Sequence, residues 1–371
     1  MHRRTPRLKR FTRPFLLALA GLTALAGAAC SSDPEADPPA AATAAAVVTI
    51  DPDATPAGPV TLRLGYFPNV THAPALAGVS EGFFAEALGA NVTLKTATFN
   101  AGPSVIEALF ADQIDISYIG PNPAINGFVQ SDGKALRIIA GATSGGALFV
   151  VHPDSGIQSA ADLAGKKLTT PQLGNTQDVA LRAYLAANGL GSREQGGNVE
   201  VVPTANADAL SLFVRGEIAG SWVPEPWATR LVLEGNGRVF LDEADLWPNG
   251  DFVTTHVIVR TAFLEQHPDV VAAFLRGHLA ALDFLNEDPE RAKTVVNEGI
   301  AAISAALPQP VIDGAWEHLR FTYDPISSSL VKSAADAFAL GYLQDEPDLD
   351  GIYALDLLNE ILAGRGRAPV Q

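Results

Sequence analysis

The sequence predicts an α/β fold with mainly parallel sheets, divided between two lobes. Short apolar runs alternate with helical patterns through most of the chain, as expected of strand–helix units whose helices cover parallel strands. The part that can fold, from about 60 to 365, is longer than one small core serves, so two lobes are expected. Cys30 is the only cysteine, which leaves no internal disulfide and makes packing the sole source of stability.

In order, 61–65 reads as a strand, 73–86 as one helix, 91–98 as a strand and 103–111 as a helix. A strand at 114–119 ends on the stiff turn Gly120-Pro-Asn-Pro, and strands at 136–142 and 147–151 follow, the second running into a turn at 152–156. Beyond it come a helix at 160–163, a strand at 167–170, a helix at 176–188 and a strand at 199–202. A helix at 205–215, a strand at 221–223 and a helix at 226–234 complete the alternating part. From 261 onward the pattern turns nearly all helical, over 267–286, 289–307, 310–323, 328–343 and 355–363.

The first 29 residues read as an export signal. Arg3, Arg4, Arg7, Lys9, Arg10 and Arg13 form a basic head without acidic residues, followed by an apolar core over 15–29. That core is shorter than the roughly 20 residues a spanning helix needs, and it ends on small residues directly before Cys30. The arrangement resembles a bacterial lipobox, which makes Cys30 the expected lipidation site and places the protein on the extracytoplasmic face of the membrane. Gly27 stands where a lipobox usually has Leu, and an ordinary cleaved signal is the alternative. Residues 30–58, rich in Ala, Pro, Asp and Thr, read as a disordered tether.

Six of the 25 Lys and Arg residues lie in the signal, so 19 face 41 acidic residues in the remainder, a net charge of −22. Such a surface argues against nucleic acid and anionic headgroups as partners. It leaves an anionic ligand open, because local backbone donors outweigh a distant net field.

Several segments together resemble the periplasmic-binding-protein family for nitrate, sulfonate and taurine. They are LGYFPNVTHA at 64–73, EGFF at 81–84, GPNPA at 120–124, DLAGK at 162–166, PQLGNTQD at 171–178, VPEPWA at 223–228 and HPDVV at 267–271. The resemblance implies a two-lobed type II periplasmic-binding-protein fold with a helical C-terminal segment packed on lobe one. Lobe one would comprise 59–148 plus 254–371 and lobe two 149–253, joined by crossovers near 148–151 and 252–256. It further implies a monomer that holds a small molecule in the cleft and works with the permease and ATPase subunits of an ABC importer. The solute would be an oxyanion such as an aliphatic sulfonate, taurine or nitrate.

In doubly wound sheets, ligands sit past the carboxyl ends of strands, where loops lead into helix N-termini. Asn69, Thr71 and His72 occupy such a position, as helix caps or as ligand contacts. Gly120 and Asn122 follow another strand, and Ser144 and Gly145 end an apolar run whose glycines permit close approach or hinging. Gln172, Gly174, Asn175, Thr176 and Gln177 lead into a helix whose exposed amides and positive dipole end suit an oxyanion. Trp222, Glu225 and Trp227 follow a further strand, with Thr255 and His256 near the second crossover. An indole there would cover an alkyl tail. Glu225 facing the ligand would favour a zwitterion or a cation such as a thiamine-precursor pyrimidine; otherwise it pairs with Arg230 or with the crossover around Thr255 and His256.

Enzymatic function is not expected. The chain has no Gly-x-Ser-x-Gly elbow, P-loop, His-Glu-x-x-His or paired-cysteine metal motif. His72, His152 and His256 are too dispersed for a metal site, so no metal, cofactor or catalytic residue is assigned. A suicide enzyme of pyrimidine synthesis shares the implied fold but depends on cysteines absent here. A ligand-sensing lipoprotein without a transport role stays open.

Overall fold

The computed structural model describes residues 54–371. The signal, Cys30 and the tether up to residue 53 lie outside the described residues. The last residues of the expected tether lie against the body: the Asn91 side-chain amide donates to the Pro56 carbonyl at 3.0 Å, and Arg276 donates to that of Ala54 at 3.0 Å.

The chain begins with β1 (Val60–Tyr66), α1 (Ala73–Ser80), α2 (Phe83–Leu88), β2 (Val92–Thr98), α3 (Gly102–Phe110), β3 (Ile116–Ile119), α4 (Pro121–Gln130) and β4 (Leu136–Gly145). Next come β5 (Ala147–Val151), β6 (Lys167–Thr170), α5 (Thr176–Ala187), β7 (Glu200–Pro203), α6 (Asn206–Val214), β8 (Gly220–Pro224), α7 (Trp227–Gly235) and β9 (Arg238–Asp242). The strand β10 (Val253–Arg260) precedes α8 (Thr261–Gln266), α9 (Pro268–Glu287), α10 (Pro289–Ile303), α11 (Gln309–Glu317), β11 (Leu319–Phe321), α12 (Ser327–Ala339) and α13 (Asp356–Gly364).

These strands form two sheets, ordered β11-β4-β10-β3-β1-β2 and β7-β6-β8-β5-β9. Neighbouring residues of the first sheet face opposite layers. Ile139, Val257 and Val259 enter a core with α1, α2, α9 and α10, while Ile138 and Ile258 enter one with α3, α4 and α12. In the second sheet Phe149, Val151 and Trp222 pack toward α5, whereas Leu148, Val150 and Val223 pack toward α6 and α7. Strands covered on both faces are apolar throughout, so they read as runs rather than as alternation.

The sheets are mixed rather than mainly parallel. β1 runs parallel to β2 and β3, and β6 parallel to β7 and β8, but β10 and β5 are antiparallel to both their neighbours. The reason is geometric: β5 and β10 arrive from the other sheet and enter at the cleft edge, opposite in direction to strands that end there. Ala147 thus pairs with Pro224, and His256 with Ile119.

Five local expectations are corrected. The helix expected over 73–86 breaks at Gly82, where φ is +80°, giving α1 and α2. The expected open turn at 120–123 is the first turn of α4, where Pro121 takes a helix-starting position that needs no N–H. The first passage between sheets lies at Gly145–Gly146 (φ +79° and +72°) rather than at 148–151, which is β5. The return spans 243–252, and the helix expected over 310–323 ends at Glu317 before β11. The C-terminal helices α9, α10 and α13 cover the first sheet, but α11 also touches α7 and α12 touches α5 on the second lobe.

Candidate functional site

Loops from both sheets converge on one cavity of about 30 Å³. Its first wall comes from the first sheet: Phe67, Asn69, Thr71 and His72 after β1, Asn100 to Gly102 after β2, Gly120 and Pro123 after β3, and Thr254 and Thr255 in β10. The second wall is Pro171, Asn175, Thr176 and Gln177 after β6, Asn206 after β7, and Pro224 at the end of β8. The carboxyl ends of parallel strands therefore face each other across the site, as in other doubly wound sheets. No Asp, Glu, Lys or Arg lines it.

The polar groups there are all uncharged. His72 is 3% exposed, stacks on Phe67 at 4.2 Å, and accepts the Phe67 backbone N–H at Nδ1 (3.4 Å). Burial lowers its pKa to about 3, so the ring is neutral and its proton sits on Nε2 as a donor. At the head of α5, the Asn175 side chain accepts the Asp178 amide at 3.0 Å and donates to Gln177 at 3.2 Å. The Thr176 and Gln177 amides belong to the first turn, where no carbonyl of the helix reaches them. Asn69 spans the lobes by accepting the Trp227 indole N–H at 3.0 Å. Gly120 permits a close approach between the walls: a Cβ there would meet Thr176 Oγ1 at 2.3 Å.

Of the residues singled out from sequence, Asn69, Thr71, His72, Gly120, Asn175, Thr176, Gln177 and Thr255 lie on this cavity. The others lie elsewhere. Asn122 turns back to donate to Ser333 of α12 at 3.1 Å, and Gly174 donates to Asp178 at 2.9 Å. Gln172 sits in the turn before α5, where its carbonyl accepts the Asn175 N–H at 3.2 Å. Ser144 sits at the end of β4, and the Gly145 carbonyl accepts the Thr254 hydroxyl. Trp222 is core, stacked on Phe149 at 5.4 Å with its N–H given to Glu243 at 2.8 Å. Trp227 stands behind Asn69. His256 bonds the Pro325 carbonyl at 3.0 Å, and burial lowers its pKa to about 4.

Glu225 faces away from the cavity. Its carboxylate accepts the Thr229 N–H (3.0 Å) and hydroxyl (2.9 Å) and borders a separate cavity of about 180 Å³ beside His318. Burial raises its pKa to about 7. Arg230 pairs instead with Glu234 at 2.6 Å, and Arg182, also near in sequence, is buried against Asp178 at 3.1 Å. Sequence reading missed Phe67, Asn100 to Gly102, Pro123, Pro171, Asn206, Pro224 and Thr254. Asn100 and Asn206 each stand a few residues past a strand end, so the rule that found Asn69 and Asn175 would have found them.

Two mixed α/β lobes, a cleft at the strand ends and helices α9 to α13 closing the chain define a type II periplasmic-binding-protein fold. Residues 55–298 match the NMT1-like family, and the chain belongs to it. It is 28% identical over 209 residues to the taurine-binding periplasmic protein of Escherichia coli K12, covering 56% of this chain and 62% of that one. Among solved structures, the alkanesulfonate-binding protein SsuA of Xanthomonas axonopodis pv. citri bound to MOPS matches with a TM-score of 0.65 at 22% identity, over 80% of this chain and 97% of that one. The periplasmic nitrate-binding protein NrtA of Synechocystis PCC 6803 matches with a TM-score of 0.71 at 18% identity, over 84% and 90%.

Proposed function

We propose that this chain is the extracytoplasmic solute-binding component of an ABC importer, anchored through a lipid on Cys30, that captures a small oxyanion and delivers it to the permease. The observation that carries this reading is the cavity itself: uncharged donors from both lobes converge on one small volume, and no carboxylate opposes an anion there. Hydrogen bonds to an ionised oxygen contribute about 1.5–3 kcal/mol each, so a few of them outweigh the ordering cost of association. Aliphatic sulfonates, taurine and nitrate are the candidate solutes, in keeping with the relatives' names.

The cavity of about 30 Å³ holds about two waters, less than any of these solutes needs. Loading therefore requires the lobes to rotate apart about Gly145–Gly146 and the 243–252 passage, and to close again on the solute. The buried Oδ1 of Asn206, which lacks a partner, favours a solute with a donor group, such as the ammonium of taurine. A cationic pyrimidine loses its support, since Glu225 points away.

A thermal-shift panel on residues 31–371 tests this, using taurine, ethanesulfonate, nitrate, bicarbonate and a pyrimidine base. A solute that binds only the native state raises the melting temperature as its concentration exceeds its Kd. A rise with an oxyanion, reduced by Thr176→Ala, is expected; a rise with the pyrimidine base alone would overturn the assignment.

A further inference from the structure

We propose that Tyr342 is a positioning residue of the solute site: from the C-terminal segment it holds the turn that presents Asn175, Thr176 and Gln177, acting through Asp178. The inference rests on the solute-binding reading only for its kinetic consequence.

Asp178 is fully buried, and its carboxylate organises that turn from beneath. One oxygen accepts the Thr170 hydroxyl at 2.8 Å and Arg182 Nε at 3.1 Å; the other accepts the Gly174 N–H at 2.9 Å and the Tyr342 hydroxyl. Three of these donors belong to the same lobe and tie the end of β6, the turn and the first turns of α5 to one another. The fourth comes from the other side. Tyr342 follows α12, its N–H is held by the Ala337 carbonyl at 2.9 Å, and its ring packs on the core that contains Phe128 and Ile125 of α4.

The three intralobe bonds survive any rotation of the lobes. The Tyr342 bond cannot, because its two ends move apart. It is therefore made on closure, and made to the residue that fixes the cavity wall. Two contacts run alongside it: Gln195 donates to the Leu340 carbonyl at 3.1 Å, and Val179 of α5 packs with Leu330 and Ala334 of α12. Tyr342 is suited to this role because it stays a neutral donor, its pKa pushed up by burial and by the neighbouring Asp178 carboxylate. It is only part-buried, so water replaces it on Asp178 when the lobes open.

The test compares the full chain with Tyr342→Phe, which keeps the ring and removes the hydroxyl. Stopped-flow fluorescence with taurine as probe should show a dissociation rate raised about tenfold, the loss of one charge-assisted hydrogen bond. The association rate should stay within about twofold, and the ligand-free melting temperature should fall by no more than about 2 °C, because only the closed fraction of solute-free molecules carries the bond. An unchanged dissociation rate, or equal damage to association and melting temperature, would mean ordinary packing and overturn the proposal. A solute-free arm keeps the outcome decisive: hydrogen exchange should quicken at the amides of 173–177 in the variant, and unchanged exchange there also overturns it. If the unaltered chain binds none of taurine, ethanesulfonate and nitrate, the oxyanion reading fails while the exchange arm still decides the role of Tyr342.

Discussion

The two flanks of the interlobe seam are built from different chemistry. The groups that line the cavity are amides, hydroxyls and a neutral imidazole, with no formal charge. On the hinge flank Asp242 of β9 meets His318 of the C-terminal segment at 3.3 Å, Glu225 lies buried nearby, and Arg320 pairs with Asp251. Asp242 raises the pKa of His318, and the Glu225 and Glu317 carboxylates add to that. The difference teaches a division of labour. Charges facing the cavity would have to be desolvated on every closure.

The largest expected effect breaks the cavity flank. Gly120 has an ordinary φ of −72°, so Gly120→Ala is tolerated by the backbone, but its methyl would sit 2.3 Å from Thr176 Oγ1. Holding the walls apart costs about 3 kcal/mol, the upper range for overpacking, so titration calorimetry should show affinity for the bound oxyanion falling about a hundredfold. A change under threefold would mean the walls never need to approach.

Next comes the hinge flank. Glu225 has a folded pKa raised to about 7, above its unfolded value, so its contribution to stability is present below about pH 4.5 and is lost as pH rises through 7. The raised His318 acts with the same sign. Glu225→Gln keeps an acceptor for Thr229 and removes the titration. Its melting temperature should therefore decline less than that of the unaltered protein between pH 5 and 8, a difference on the order of 2 kcal/mol. Parallel profiles would show that Glu225 ionises freely.

A smaller effect concerns the bond between the two lobes. Trp227→Phe removes the indole donor to Asn69, a bond of about 1 kcal/mol, and should weaken solute binding about fivefold. The finest test is an expected null. With the pKa of His72 lowered to about 3, the dissociation constant for ethanesulfonate should change less than twofold between pH 8 and 5. A marked tightening toward pH 5 would reveal an imidazolium at the site.

The cavity was legible wherever a strand exit, a small polar cluster and a helix start coincided, as at Asn69 to His72 and Asn175 to Gln177. It was illegible where orientation decides. All five residues of β8 are buried, so no alternation shows that Trp222 points into the second lobe's core. Glu225, just past that strand, is aimed by its bonds to Thr229 into α7, a fact of tertiary geometry alone. Strand β9 escaped because Arg238 and Val239 are exposed and β11 because it has three residues, too few for a periodic signal. The antiparallel direction of β5 and β10 escaped because strand direction follows from which sheet the chain arrives from.

The passage at Gly145–Gly146 has one more consequence. The Gly145 carbonyl accepts the hydroxyl of Thr254, and Thr254 itself lines the cavity. Under the proposed solute-binding reading, fulcrum and load stand a single residue apart. In a lever so proportioned, an ion only a few atoms wide, seated beside the axis, governs a far larger sweep at the outer rims of the lobes. A trace solute can in this way be reported across a whole protein surface.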